Sequence, residues 1–120
     1  MDEITLFDVT GRPTAYLSVQ HDNTIYLWSG EPVAYLHGEH VYSFNGRHLG
    51  WFESGVLWDH SGYRAGFVRS TLPVYAQFEP FKSFKQFKPF KSFREFAPFK
   101  PFRSTSSSRA PLSVLLVGGR

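Results

Sequence analysis

The sequence contains no cysteine in its 120 residues, which excludes disulfide bonds and thiolate metal sites and leaves the redox compartment undetermined. No apolar run approaches the ~20 residues that a membrane-spanning helix needs. The N-terminus, Met-Asp-Glu-Ile, lacks the apolar segment of a secretory signal. We therefore expect no transmembrane segment and, from this N-terminus, a cytoplasmic location.

The motifs of common enzymes are also missing. There is no P-loop, no Gly-x-Ser-x-Gly and no dinucleotide-binding fingerprint. The carboxylates Asp8, Glu53 and Asp59 are scattered and form no repeated pair for acid–base chemistry. We expect no enzyme, no catalytic residue and no cofactor.

Histidines offer one spacing that suits a metal, since His37-x-x-His40 could ligate an ion from a loop. The plainer interpretation is that both are polar residues between strands, and it is favoured. His48 and His60 stand at positions that do not match between repeats. No metal site is predicted.

Charge is distributed unevenly. Residues 1–73 carry four Arg and eight acids, giving −4, whereas residues 74–120 carry nine basic residues and two acids, giving +7. The two parts are electrostatically complementary, so the acidic part is a natural partner for the basic one, within one chain or between subunits. Polyanions are the other partner that a basic tract suggests.

The most regular feature is a phenylalanine at every third position from residue 78 to residue 102. Residues 78–86, 87–95 and 96–104 are three similar nine-residue copies, with Pro as the third residue of each. The residue after each Phe is mostly basic, and these cations form a candidate polyanion-binding site: Lys82, Lys85, Lys88, Lys91, Arg94, Lys100 and Arg103.

Two backbone geometries suit this period. In an α-helix a three-residue period would spiral around the axis, and the prolines would break the helix. Polyproline II has three residues per turn and would place the Phe along one edge. A triangular coil of nine residues per turn would send three Phe inward and cations outward. The nine-residue cycle favours the coil, and Pro-rich disorder is a further alternative.

The first 70 residues contain four copies of one unit. They align on Gly11, Gly30, Gly46 and Gly62. Aliphatic and aromatic residues precede each Gly by five and four positions, and a tiny residue followed by an aromatic one lies four and five positions after it. The tiny residues are Ala15, Ala34, Gly50 and Gly66, and the aromatic residues are Tyr16, Tyr35, Trp51 and Phe67.

Each unit reads as strand, glycine turn and strand, which predicts a β-hairpin. One hairpin alone is marginal in water, so four similar hairpins are expected to pack together in a pseudo-four-fold, all-β arrangement. The repeated aromatic residues are interpreted mainly as core. A weaker alternative makes them a platform that stacks apolar ligands or carbohydrates.

The segments Gly-Arg-Pro-Thr-Ala-Tyr-Leu (11–17), Gly-Glu-Pro-Val-Ala-Tyr-Leu (30–36) and Tyr-Ser-Phe-Asn-Gly-Arg-His-Leu-Gly-Trp-Phe (42–52) resemble the small bacterial proteins of the 4-fold beta flower family. So does the tail of apolar-Lys-Pro and apolar-Lys-Ser triplets, although other members more often carry Ile or Val at the Phe positions. The resemblance covers about residues 4–105. It implies four hairpins in a pseudo-four-fold arrangement and implies no activity.

We divide the chain into a four-hairpin head (1–72), a triplet-repeat tract packed on the head (73–104) and a Ser-rich linker with an apolar extension (105–120). The apolar residues 112–117 suggest either a strand that pairs with an exposed sheet edge or a frayed extension of the chain, and the second interpretation is favoured. Because the tract is expected to dock onto the head, replacing Phe87, Phe90 and Phe93 by Ser is expected to cost several kcal/mol of lost burial.

The function predicted from the sequence is a non-catalytic structural or protein-interaction module, with self-association as an open possibility. The first alternative is binding of nucleic acid or an anionic membrane through the basic Phe-rich tract. The second is an apolar-ligand or carbohydrate binder that uses the repeated aromatics.

Overall fold

A computed structural model describes residues 3–118. Eight antiparallel strands close into a barrel in which each strand pairs with its neighbours in sequence and the last pairs with the first. The strands are β1 (Glu3–Phe7), β2 (Pro13–Ser18), β3 (Thr24–Leu27), β4 (Pro32–His37), β5 (His40–Ser43), β6 (His48–Glu53), β7 (Val56–Trp58) and β8 (Arg64–Phe67). The all-β prediction is therefore confirmed, and its architecture is a closed barrel.

The glycine turns join β1 to β2, β3 to β4, β5 to β6 and β7 to β8. In each hairpin the pairing register shifts by one residue close to the turn. The turn glycine then adopts a positive φ, for example +94° at Gly46, where a side chain would be strained. Short links complete the barrel, and the link from β2 to β3 contains a 3₁₀ turn at Val19–His21. A second 3₁₀ turn, Arg69–Thr71, follows β8.

Successive side chains of each strand point to opposite faces of the barrel wall, and this alternation produces two buried layers. Small and aliphatic residues such as Leu6, Ala15, Leu17 and Val41 fill the barrel interior, as expected for eight strands. The neighbours of these residues are aromatic, and Tyr16, for example, is stacked on Tyr26 at 5.5 Å between ring centres. These rings lie on the outer face of the barrel, and the rest of the chain covers them.

The apolar C-terminal segment forms a short helix, α1 (Leu112–Leu116), which corrects the expectation of a strand or a frayed extension. Leu112 and Leu116 are fully buried and belong to the barrel core. Leu112 packs where a side chain on Gly66 would stand, which explains the need for a tiny residue at that position. A helix suits this site because it satisfies its own backbone while it covers the open end of a barrel.

The triplet-repeat tract follows the outside of the barrel. We call residues 75–104 the belt. An extended chain from Tyr75 to Phe102 covers about 84 Å at about 3.1 Å per residue. To pass from the first glycine turn to the fourth, the belt has to follow about three quarters of the perimeter of the barrel. For a body 36 Å wide, this path is about 85 Å long. This agreement favours the extended alternative over a self-contained coil.

Candidate interaction surface

The belt touches the barrel at its four glycine turns, once every nine residues. The amide N–H groups of Gln77, Gln86, Glu95 and Ser104 donate to the carbonyl oxygens of Gly11, Gly30, Gly46 and Gly62, at 2.8, 2.9, 2.9 and 2.9 Å. One nine-residue repeat therefore carries the chain from one hairpin to the next. This registration gives the nine-residue period its physical cause, which the sequence interpretation assigned to a coil.

Glycine is required at these turns because the belt backbone lies against them. A Cβ on Gly30 would lie 1.9 Å from the carbonyl oxygen of Phe84, and one on Gly46 would lie 1.9 Å from that of Phe93. Both distances are far inside van der Waals contact. Turn geometry alone predicted these glycines from the sequence, and the contact with the belt is a second reason for them.

The cations of the belt point inward to the barrel. The Lys82 ammonium lies 2.6 Å from a Glu3 carboxylate oxygen and 4.5 Å from the centre of the Tyr16 ring. Lys85 pairs with the other oxygen of Glu3. Burial acts to raise the pKa of Glu3, but the hydrogen bonds from both lysines outweigh it and hold the pKa below its usual value.

The same arrangement recurs further along the belt. Lys91 lies 2.6 Å from Asp22 and 4.2 Å from the centre of the Tyr35 ring. Lys100 and Arg103 both bind Glu53, whose pKa is lowered first by the Lys100 hydrogen bond. Lys82, Lys85, Lys91 and Arg103 thus each lie over an aromatic face and near a carboxylate, whereas Lys100 contacts carboxylates alone.

All seven cations of the predicted polyanion-binding site have partners on the barrel. Besides the five pairs above, Lys88 donates to the carbonyl oxygen of His21 at 3.3 Å, and the Arg94 guanidinium lies 5.9 Å from the centre of the Tyr42 ring. Polyanion binding stays a prediction. It would have to compete with these contacts.

The phenylalanine rings of the belt point outward. Their side chains are 87–103% exposed, as in an unfolded chain. This orientation corrects the coil in which rings stack inside and cations point out. The reason is electrostatic, because the barrel offers carboxylates and ring faces at its surface while its own apolar interior is already filled.

The repeated aromatic residues offer no open platform in the described structure. Tyr16, Tyr35, Trp51 and Phe67 are each at most 2% exposed. Burial raises the pKa of Tyr16 to about 12, as expected for a phenol that is shielded from water. The interpretation of these rings as core agrees with their burial, whereas ligand stacking on them would first require removal of the belt.

Three histidines form a chain that the sequence analysis did not foresee. His48 Nε2 lies 3.0 Å from His40 Nδ1, and His48 Nδ1 lies 2.9 Å from His60 Nε2. His48 is buried, and its amide N–H donates to the Glu95 carboxylate of the belt. Burial, followed by the neighbouring His60 and His40, lowers the pKa of His48 to about 4.

Both ring nitrogens of His48 are occupied by the other two histidines, so the three rings do not converge on one point. Within residues 3–118 no group of three or more His, Asp or Glu side chains is arranged to hold a metal. His37 instead packs its edge against the Tyr42 ring. A sequence signal for the chain did exist, since His48 stands two residues after its glycine, where Pro13 and Pro32 stand in other repeats.

Comparison with known proteins gives one match. The sequence model of the family described as "4-fold beta flower protein" matches residues 4–116. The match extends beyond residue 105, where the sequence analysis ended the resemblance, and it includes the helix that closes the barrel. Neither the curated proteins nor the solved structures gave a match. In the described part of the chain, no helix has the length and apolar character to cross a membrane.

Proposed function

The chain belongs to the 4-fold beta flower family, whose description names an architecture and no activity, and we propose that it is a non-catalytic protein-interaction module. The observation that carries this proposal is the row of outward phenylalanines on the belt. Burial of one Phe side chain is worth roughly 1.5–3 kcal/mol, so nine exposed rings are a large reserve of binding free energy.

The exposed area also exceeds what a free monomer normally shows. Each ring contributes about 150–250 Å², so the three rings of one nine-residue repeat contribute roughly 450–750 Å², against roughly 300–600 Å² for the largest apolar patch of a typical monomer. Patches above that size mark interaction sites. The belt holds the rings on a barrel through the hydrogen bonds and ion pairs described above, which keeps their arrangement fixed.

Lack of catalysis is supported by how the titratable groups are used. Glu3, Asp22 and Glu53 hold belt cations, and the three histidines bind each other. An open cleft of about 410 Å³ between β4, β5 and the belt is lined by Val33, Phe44 and Pro89 among others, and Glu31 is its single titratable residue. Acid–base chemistry needs a positioned pair.

The experiment that tests the proposal is photo-crosslinking in the native cell. The photo-reactive residue p-benzoylphenylalanine replaces Phe90, and the control carries it at His37, the exposed last residue of β4. We expect protein adducts from position 90 that are absent from position 37. Equal labelling at both positions, or adducts with lipid alone from position 90, would refute an interaction through the belt.

A further inference from the structure

The outward face of the belt is dominated by apolar rings, while the charged side chains of the belt have partners on the barrel. Glu79 binds Arg69 and Thr5, Glu95 binds the amide N–H of His48, and the basic residues are held by the barrel. Between the rings, the third residues of the triplets are Pro, Ser or Gln, apart from Glu95. A partner for this surface therefore needs apolar groups that meet the rings, whereas a polyanion would have to compete for cations that the barrel already binds.

The spacing of the rings indicates what kind of apolar group fits between them. Neighbouring Phe are three residues apart, which is about 9.3 Å along an extended chain. This distance is too long for the rings of one belt to stack on each other, because aromatic pairs prefer about 4.5–7 Å between centres. A ring inserted midway would lie about 4.7 Å from both neighbours, within that range.

A second copy of this chain carries rings at that same spacing. We propose that the belt is a self-association surface on which the phenylalanines of two copies interleave, each ring lying between two rings of the partner. The two belts would run antiparallel about a two-fold axis, so that the same surface is used on both sides. This inference rests on the proposed interaction function and names its partner.

The area of contact determines the strength and the extent of the association. One nine-residue repeat presents three rings, or roughly 450–750 Å² on each partner, compared with ~800 Å² per partner in a standard stable interface. A contact through one repeat is therefore weak. Three repeats lie on different sides of the barrel, so one chain can contact several neighbours. We expect reversible assembly that continues beyond the dimer as concentration rises.

Sedimentation velocity of the full chain between about 1 μM and about 1 mM tests this directly. The variants change the middle ring of every repeat, at Phe81, Phe90 and Phe99, to Ser, Leu or Tyr. These side chains are fully exposed, so thermal unfolding should match the wild type and confirm that each variant is folded. Association of the Ser variant should be at least about tenfold weaker, because a ring is lost from each contact.

The Leu and Tyr variants distinguish interleaved rings from general apolar adhesion. Interleaving requires flat aromatic rings, so the Tyr variant should associate within about threefold of the wild type. The Leu variant should associate more weakly than the Tyr variant but more strongly than the Ser variant, because Leu keeps the apolar area and loses the ring stacking. Leu equal to or stronger than Tyr would overturn the proposal. So would a wild-type chain that stays monomeric throughout, or one that is monomeric alone and binds uncharged phosphatidylcholine vesicles.

The crosslinking experiment separates the two proposals. Adducts between two copies from position 90 support both. Adducts with a different protein, together with a monomeric chain in sedimentation, refute self-association and leave the interaction function standing.

Discussion

The contact between belt and barrel can be tested with one added methyl group, in the variant Gly46→Ala. The new Cβ would lie 1.9 Å from the carbonyl oxygen of Phe93, whereas ordinary contacts begin at 3.4 Å. The belt would have to move away by about 1.5 Å, which breaks hydrogen bonds of normal length. Gly38→Ala is the matched control, because Gly38 also has a positive φ, of +62°, and nothing lies within 4 Å of its Cβ position.

Three hydrogen bonds at this turn depend on the position of the belt. Glu95 N–H donates to Gly46 O at 2.9 Å, Ser92 N–H donates to Phe44 O at 2.8 Å, and the Tyr42 hydroxyl donates to Glu95 O at 2.9 Å. At about 0.5–1.5 kcal/mol each, their loss costs roughly 2–4 kcal/mol. Gly38→Ala also carries the strain of a left-handed φ, about 1–2 kcal/mol, and Gly46→Ala, at a φ of +94°, carries at least as much. We expect a loss of about 3–6 kcal/mol for Gly46→Ala and about 1–2 for Gly38→Ala.

Urea unfolding of both variants measures this difference, and hydrogen exchange locates it. The amide of Glu95 should exchange faster in Gly46→Ala and remain protected in Gly38→Ala, because only the former moves the belt away from the carbonyl oxygen of Gly46. Equal destabilisation of the two variants, within about 0.5 kcal/mol, would refute the claim that the belt is the reason for glycine at this turn.

Four further outcomes follow from burial, charge and exposure. Replacing Phe87, Phe90 and Phe93 by Ser should change the free energy of unfolding by less than about 0.5 kcal/mol in urea titrations of dilute protein, because the rings are exposed. The sequence alone had predicted a loss of several kcal/mol for the same change. Leu116→Ala should cost about 2–5 kcal/mol in the same assay, because Leu116 closes the barrel core. His48 has a folded pKa of about 4, below its unfolded value near 6.5. The free energy of unfolding should therefore be highest above pH 6.5 and fall by about 3 kcal/mol as the pH drops to 4. In His48→Gln, the free energy of unfolding should change less steeply with pH across this range. Titration with single-stranded DNA and anionic vesicles at low salt should show only weak binding, because the belt cations are paired; sub-micromolar affinity with a steep salt dependence would instead support the polyanion alternative.

The sequence by itself determined the repeating plan of this protein. The alignment on four glycines predicted four hairpins, because hydrophobic alternation and a turn glycine are local properties of the chain. It also identified the nine-residue period and the opposite charges of the two parts. The family resemblance agrees with the match over residues 4–116.

Only the tertiary structure decided which way the belt faces. A period of three places all the Phe on one edge and the cations on another, but it does not say which edge meets the barrel. The answer depends on carboxylates that come from distant residues, such as Glu3 for Lys82 and Glu53 for Lys100. Because these partners are 79 and 47 residues away in sequence, no local pattern reveals them.

The C-terminal helix and the histidine chain also depend on long-range contacts that no local sequence pattern reveals. The segment 112–117 is apolar and short, and such a run is compatible with either strand or helix. It becomes a helix at the open end of a barrel, where unpaired strand groups would be costly. His40, His48 and His60 meet because strand pairing places β5 and β7 on either side of β6, and that proximity exists only in the folded chain.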